Sequence, residues 1–342
     1  MITKIFYLFL LTLLSIILVG SLYLRSINFG SASKNGFVRQ FEYKATILHR
    51  DTLPYNSYYL AGATASQLYL GNVVNTTVLL TLDHDLRTHT SSALQISEDG
   101  NIAWQALHVQ LDSPDIHMIE QITPRVFYGR LGDRQLYNRD INASTLSAWM
   151  AVSPGTYIFR KWDSSHNQYD LFKWTDHRFT GHTEPTLQTQ GDGTFSIDGS
   201  LMYDRLSATV IYMYFYRNEV LLMDTNVAVK GVMKTIDTIT RANVEVVSIA
   251  STKTKTIKRP PLVVNKKAAV FNNRLYIHSP RKADNQSQDD QAVIDCYDLS
   301  LRKYLYSFYL DIDPKTFSGM MVMHDRMYAI AGKQLFAIRL AR

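Results

Sequence analysis

The 342-residue sequence predicts an all-β chain: a six-bladed β-propeller closed by an N-terminal strand and preceded by one N-terminal membrane helix. Three observations predict it. A short run centred on an aromatic or bulky apolar residue recurs six times, each followed after a polar gap by a second such run. Beyond residue 36 no stretch sustains an apolar period of 3.6; segments alternate at about two or form short apolar blocks, as strands do. Finally, 21 Tyr and 15 Phe against 19% charged residues suit pleated, half-buried surfaces.

The first element is residues 5–24, uncharged and flanked by Lys4 and Arg25. Twenty helical residues are long enough to cross a hydrocarbon layer of ~30 Å. Two readings compete, a cleaved signal peptide with Gly30 and Ala32 before the cut, and a retained signal anchor. The run exceeds the usual 7–15 residues of a signal core, which favours the anchor. The expected organisation is 1–25 signal anchor or signal peptide, 26–36 flexible tether of small polar residues, and 37–342 propeller. With Lys4 held in the cytoplasm, the body faces outside the bacterial cytoplasmic membrane, in the cell envelope or periplasm; secretion after cleavage is the alternative.

The strand-like block 41–48 then stands alone before the repeats. The six leading runs are Leu68-Tyr69-Leu70, Val126-Phe127-Tyr128, Tyr157-Ile158-Phe159, Ile211-Tyr212-Met213, Leu275-Tyr276-Ile277 and Met327-Tyr328-Ala329. Their partners are 78–82, 135–137, 169–172, 220–223, 293–297 and 335–338. The centres at 69, 127, 158, 212, 276 and 328 are spaced 58, 31, 54, 64 and 52 residues apart, around the roughly 40–50 residues of a blade. The fifth repeat is clearest, with strands at 268–271, 274–277, 293–297 and 304–310 and a tight turn at Asn272-Asn273, since Asn tolerates positive φ. A strand is also expected at 194–197, between the turns Gly191-Asp192-Gly193 and Asp198-Gly199. The last repeat holds only three strands. Adding 41–48 to it closes the ring and covers an exposed sheet edge.

With this pattern, and with the outer-strand phrase Val293-Ile294-Asp295-Cys296-Tyr297-Asp298-Leu299, the chain resembles bacterial six-bladed β-propellers of the TolB-like or NHL-like type, including cell-envelope members. The resemblance covers about residues 37–342 and implies the fold. The fold hosts receptors, scaffolds, lactonases and dehydrogenases, so it transfers no activity.

Ligands of propellers usually sit near the axis, on the face formed by the turns between second and third strands and by the crossings between blades. The expected ligand-binding face comprises Asn72, Asp133, Arg134, Asp163, His166, Arg217, Asn218 and Lys333. Asp133, Asp163 and His166 are the alternative metal ligands, because carboxylate and imidazole suit divalent ions. Asp83-His84-Asp85 follows a third strand and reads as a turn at the other end. Between Val246 and Ala283 lie nine Lys or Arg and no acid, and Lys253, Lys255, Lys258, Arg259, Lys266 and Lys267 form a basic patch suited to anionic lipid, cell-wall polymer or an acidic partner.

A net charge of +6, falling to +4 without the Lys4 and Arg25 of residues 1–32, is too mild to imply nucleic-acid binding. The single Cys296 rules out an internal disulfide and a multi-cysteine metal site. No Gly-rich phosphate loop, Gly-x-Ser-x-Gly elbow or His-Glu-x-x-His is present. The reading is a non-enzymatic binding or scaffold module for a protein or glycan partner, with membrane contact through residues 5–24 and no cofactor. The alternative is a metal-dependent, lactonase-type hydrolase with a divalent ion on the axis.

Overall fold

The computed structural model describes residues 2–31, 34–97, 102–133, 135–141, 143, 146–249 and 254–340. A helix spans Ile2–Ser31, so it continues through the first six residues of the segment expected as a tether. Its stretch Lys4–Tyr23 is long and apolar enough to cross a membrane.

Among the described residues six antiparallel blades follow, besides one two-stranded hairpin. Blade one is Tyr58–Ala63, Gln67–Asn72, Val78–Asp83 and His89–Ala93. Blade two is Leu107–Asp112, Asp115–Glu120, Arg125–Arg130 and Gln135–Asp140, with Gln95–Ile96 added parallel at its outer edge. Blade three is Leu146–Ser153, Thr156–Asp163, Gln168–Thr175 and Arg178–Thr180; blade four is Gly199–Asp204, Thr209–Tyr214, Glu219–Met223 and Val229–Lys234. Blade five is Lys267–Phe271, Arg274–His278, Ala292–Asp298 and Lys303–Leu310. Blade six is Phe317–Met323, Arg326–Ala331, Gln334–Leu340 and, from the far end of the chain, Ala45–Thr52. The closing strand therefore exists but starts four residues later than expected, pairing Ala45 with Leu340 and Thr52 with Gln334.

The hydrophobic core is not one central mass. Among the described residues it divides into six wedges, one between each pair of neighbouring blades; Ile119 and Val126 of blade two meet Tyr157, Phe159 and Trp174 of blade three, for example. Blades six and one interlock the same way through Tyr328, Ile330, Leu68 and Leu70. Twisted sheets packed face to face around an axis bury both faces of their middle strands, so these read as continuous apolar blocks. That burial is why the leading runs stood out in the sequence.

Two expectations are corrected. In blade two the run at 126–128 is the third strand and 135–137 belongs to the fourth; the second is Asp115–Glu120, buried throughout. Substituting Met118 for Phe127 changes the first two spacings from 58 and 31 to 49 and 40, which removes most of the irregularity. Residues 194–197 form no strand: the Asp192 carboxylate accepts the backbone N–H groups of Thr194, Phe195 and Ser196 and coils the segment. The tight turn at Asn272 and Asn273 is present, with φ of +47° and +64°.

Candidate functional site

Each blade is a meander, so turns between its second and third strands and crossings to the next blade share one end, the crossing face. Turns joining strands one to two and three to four share the other. At the crossing-face mouth of the axis lies a pocket of about 390 Å³. Its walls are the opening halves of the first strands of blades one to four, and Gln121 and Phe215 reach it from turns on the same face.

Four rings, Tyr59, His108, Trp149 and Phe215, define the lining, with the polar groups of Gln110, Gln121 and Ser200 between them. Tyr59 lies against bare backbone: a Cβ on Gly71, its cross-strand partner, would come within 2.3 Å of the ring. The ring is thereby aimed across the inter-blade wedge, where its Oη accepts the Val109 N–H at 2.7 Å. Burial pushes the Tyr59 phenol up to about 12, so it stays protonated. His108 lies beside it, centroids 5.3 Å apart and ring planes tilted by 41°, and burial lowers its pKa, keeping the imidazole neutral. Gln110 bridges blades two and three, donating to the Met150 Sδ and accepting from the Ala151 N–H. Among the described residues the lining carries no carboxylate, ammonium or guanidinium. Such a surface stacks against a ring and hydrogen-bonds neutral polar groups.

Of the residues expected on the ligand-binding face, none of those described lines this pocket. Asn72 is buried, and its Oδ1 accepts the N–H groups of Val74 and Asn75, capping its own turn. Asp163 accepts from Ser165 and pairs with His166 at 2.7 Å; those hydrogen bonds hold its carboxyl below the usual range against an opposing desolvation. Arg217 is buried over the Tyr214 ring, donating to the Gln188 carbonyl and to Glu219. Asn218 donates to the Asp237 carbonyl, fixing the crossing into blade five. Lys333 is exposed, and its carbonyl accepts the Leu53 N–H. These side chains fasten loops.

Asp133 requires a correction. The turn that carries it joins the third and fourth strands of blade two, so it lies at the opposite end from Asp163 and His166, and the three do not converge. The misassigned strand caused that error. Arg134, its neighbour, lies outside the described residues. Among the described residues no group of three His, Cys, Asp or Glu side chains could hold a metal ion.

The basic patch divides. Lys253 lies outside the described residues. Lys255 and Lys258 sit on or beside a two-stranded hairpin, Val246–Ile249 with Thr254–Ile257, that projects from the crossing between blades four and five. Lys258 and Arg259 both reach Glu245 at its base. Lys266 donates to the Pro314 carbonyl, and Lys267 opens the first strand of blade five. Most of the pocket residues lie on first strands, where a side chain that faces the axis has the same composition and period as one that does not, and nothing in the sequence marks the turn residues Gln121 and Phe215 as their neighbours.

No family model matches the chain, and no curated protein is similar to it in sequence. Solved structures are similar in fold. A member of the DUF4221 family from Bacteroides vulgatus is 9% identical, with a TM-score of 0.56 over 89% of this chain and 99% of that one. A protein of Bacteroides fragilis described as exported is 10% identical, with a TM-score of 0.50 over 88% of this chain and 95% of that one. At these identities the likeness shows the fold alone.

Proposed function

We propose that this propeller is a non-enzymatic binding module, held at the outer surface of the cytoplasmic membrane by its N-terminal helix, that takes a neutral, ring-bearing, hydroxyl-rich ligand such as a glycan segment at the axial mouth. The carrying observation is the pocket lined by Tyr59, Trp149 and Phe215 together with Gln110 and Gln121, with no carboxylate, ammonium or guanidinium among the described residues that line it. Sugar rings present C–H groups to aromatic faces and hydroxyls to amides. The volume falls within the range of ligand sites, ~300–1,000 Å³. The similar fold of a Bacteroides fragilis protein described as exported, and the apolar helix, support an envelope location.

The test is titration of the detergent-solubilised full chain with cell-wall oligosaccharides, followed by tryptophan fluorescence. Saturable binding that weakens at least about tenfold in Trp149→Ala, the scale of one lost stacking contact, is expected. Binding that ignores Trp149→Ala, or turnover of the sugar, would remove the reading.

A further inference from the structure

We infer that the hairpin Val246–Ile249/Thr254–Ile257 is a membrane-surface contact that rests on anionic phospholipid headgroups beside the anchor; this builds on the retained-helix reading above. The first observation is where the anchor joins the body. Asn35 is fastened at four points: its N–H donates to Asp284, its side chain donates to the Lys282 carbonyl and accepts from Arg281, and its carbonyl accepts the Thr238 hydroxyl. Thr238 opens the same crossing that carries the hairpin. The helix ends at Ser31, four Cα steps away, so Asn35 lies within about 15 Å of the helix end whatever path the chain takes. The apolar stretch ends at Tyr23, and the helix from there to Ser31 adds about 12 Å, so Asn35 and the crossing fastened to it are tethered within about 27 Å of the end of that stretch.

The second observation is the hairpin itself. The register pairs Val247 with Thr256 and Ile249 with Thr254, so these four share one face of the ribbon, uncharged and exposed. Lys255 points to the other face, and Lys258, Arg259 and the exposed Leu262 follow at the base. Glu245 at the base pairs with Lys258 and Arg259, and on the adjoining loop of blade five Asp289 pairs with Lys282. Within the crossing, 235–266, the basic residues Arg241, Lys253, Lys255, Lys258, Arg259 and Lys266 outnumber Asp237 and Glu245. An uncharged ribbon face, with cations on its other side and at its base, suits shallow contact between headgroups, with phosphates taking the cations.

Full-length protein carrying Ile249→Cys labelled with an environment-sensitive fluorophore tests this in lipid nanodiscs; native Cys296 is buried. Leu301→Cys, on the opposite face and 63% exposed, serves as the water-facing control. In phosphatidylcholine discs containing phosphatidylglycerol the Ile249 label should shift blue and be quenched by lipid-borne quenchers, while the Leu301 label should not. Replacing Lys255, Lys258 and Arg259 by Glu should cut the quenching at least about threefold, since each cation adds to the attraction. A label that stays aqueous in retained protein, equal quenching without phosphatidylglycerol, or a shift produced only by a soluble polyanion would overturn the inference. Loss of the protein from the discs would instead refute the anchor.

Discussion

Arg39 joins the start of the body to Asp295 on the third strand of blade five, by hydrogen bonds of 2.7 and 3.1 Å from Nε and Nη2. Both side chains are almost fully buried. Burial opposes the charge on Arg39, but the Asp295 carboxylate overrides it and raises the guanidinium's pKa. Removing one member of such a pair strands the other charge, so Arg39→Ala is expected to lower unfolding free energy by about 3–5 kcal/mol. Chemical denaturation checks this, and a loss below 1 kcal/mol would mean that Asp295 finds another partner. The buried His117 and His278 titrate oppositely to a rescued charge, because burial lowers both to about 4. Unfolded imidazoles bind protons near 6.5 and the folded ones do not, so the stability they supply is whole above about pH 6.5 and drains away as pH falls to about 4. Each accounts for up to about 3 kcal/mol. His278→Gln should flatten the decline of the denaturation midpoint over that interval; an unchanged slope would sink the assignment.

Among elements, the first strands of blades one and two meet with no room between them at Gly62. A Cβ on Gly62 would stand 2.3 Å from the Leu111 carbonyl oxygen and 2.7 Å from its Cβ. Backbone cannot retreat as a side-chain tip can, so Gly62→Ala should destabilise by about 1–3 kcal/mol, read by thermal melting. A wild-type midpoint in the variant would show the two strands free to part. The closing strand carries a sharper expectation. Deleting residues 35–52 bares the outer edge of Gln334–Leu340 and removes the Arg39 pair, so the truncated protein should elute as aggregate in size-exclusion chromatography. Elution as a monomer would show that the ring does not need its closure. Legibility differed by element for a physical reason. Blade five was readable strand by strand because its middle strands are apolar and its first turn uses Asn272-Asn273. The second strand of blade two escaped because Asp115, His117 and Glu120 are all buried there, Asp115 and His117 bonded to Tyr128 and Tyr157 on other strands. Partners that lie on other strands cannot be seen from a strand's own composition.

For the molecule as a whole, the retained anchor predicts that the mature chain begins at its own N-terminus and stays with membranes through alkaline extraction. N-terminal sequencing that starts near Ser33 would show a cleaved leader. The sequence by itself determined the number of blades, the closure by an N-terminal strand and the apolar helix. These follow from local composition and period, which each strand carries within itself. Only the tertiary structure decided which turns reach the crossing face, because one misassigned strand sends every later turn of a blade to the opposite end. It alone turned Arg217 and Asn218 into loop fasteners and assembled Tyr59, His108, Trp149 and Phe215 from three first strands and a turn. A pocket at an axis is a property of the ring's closure, and no segment possesses it before the ring is closed.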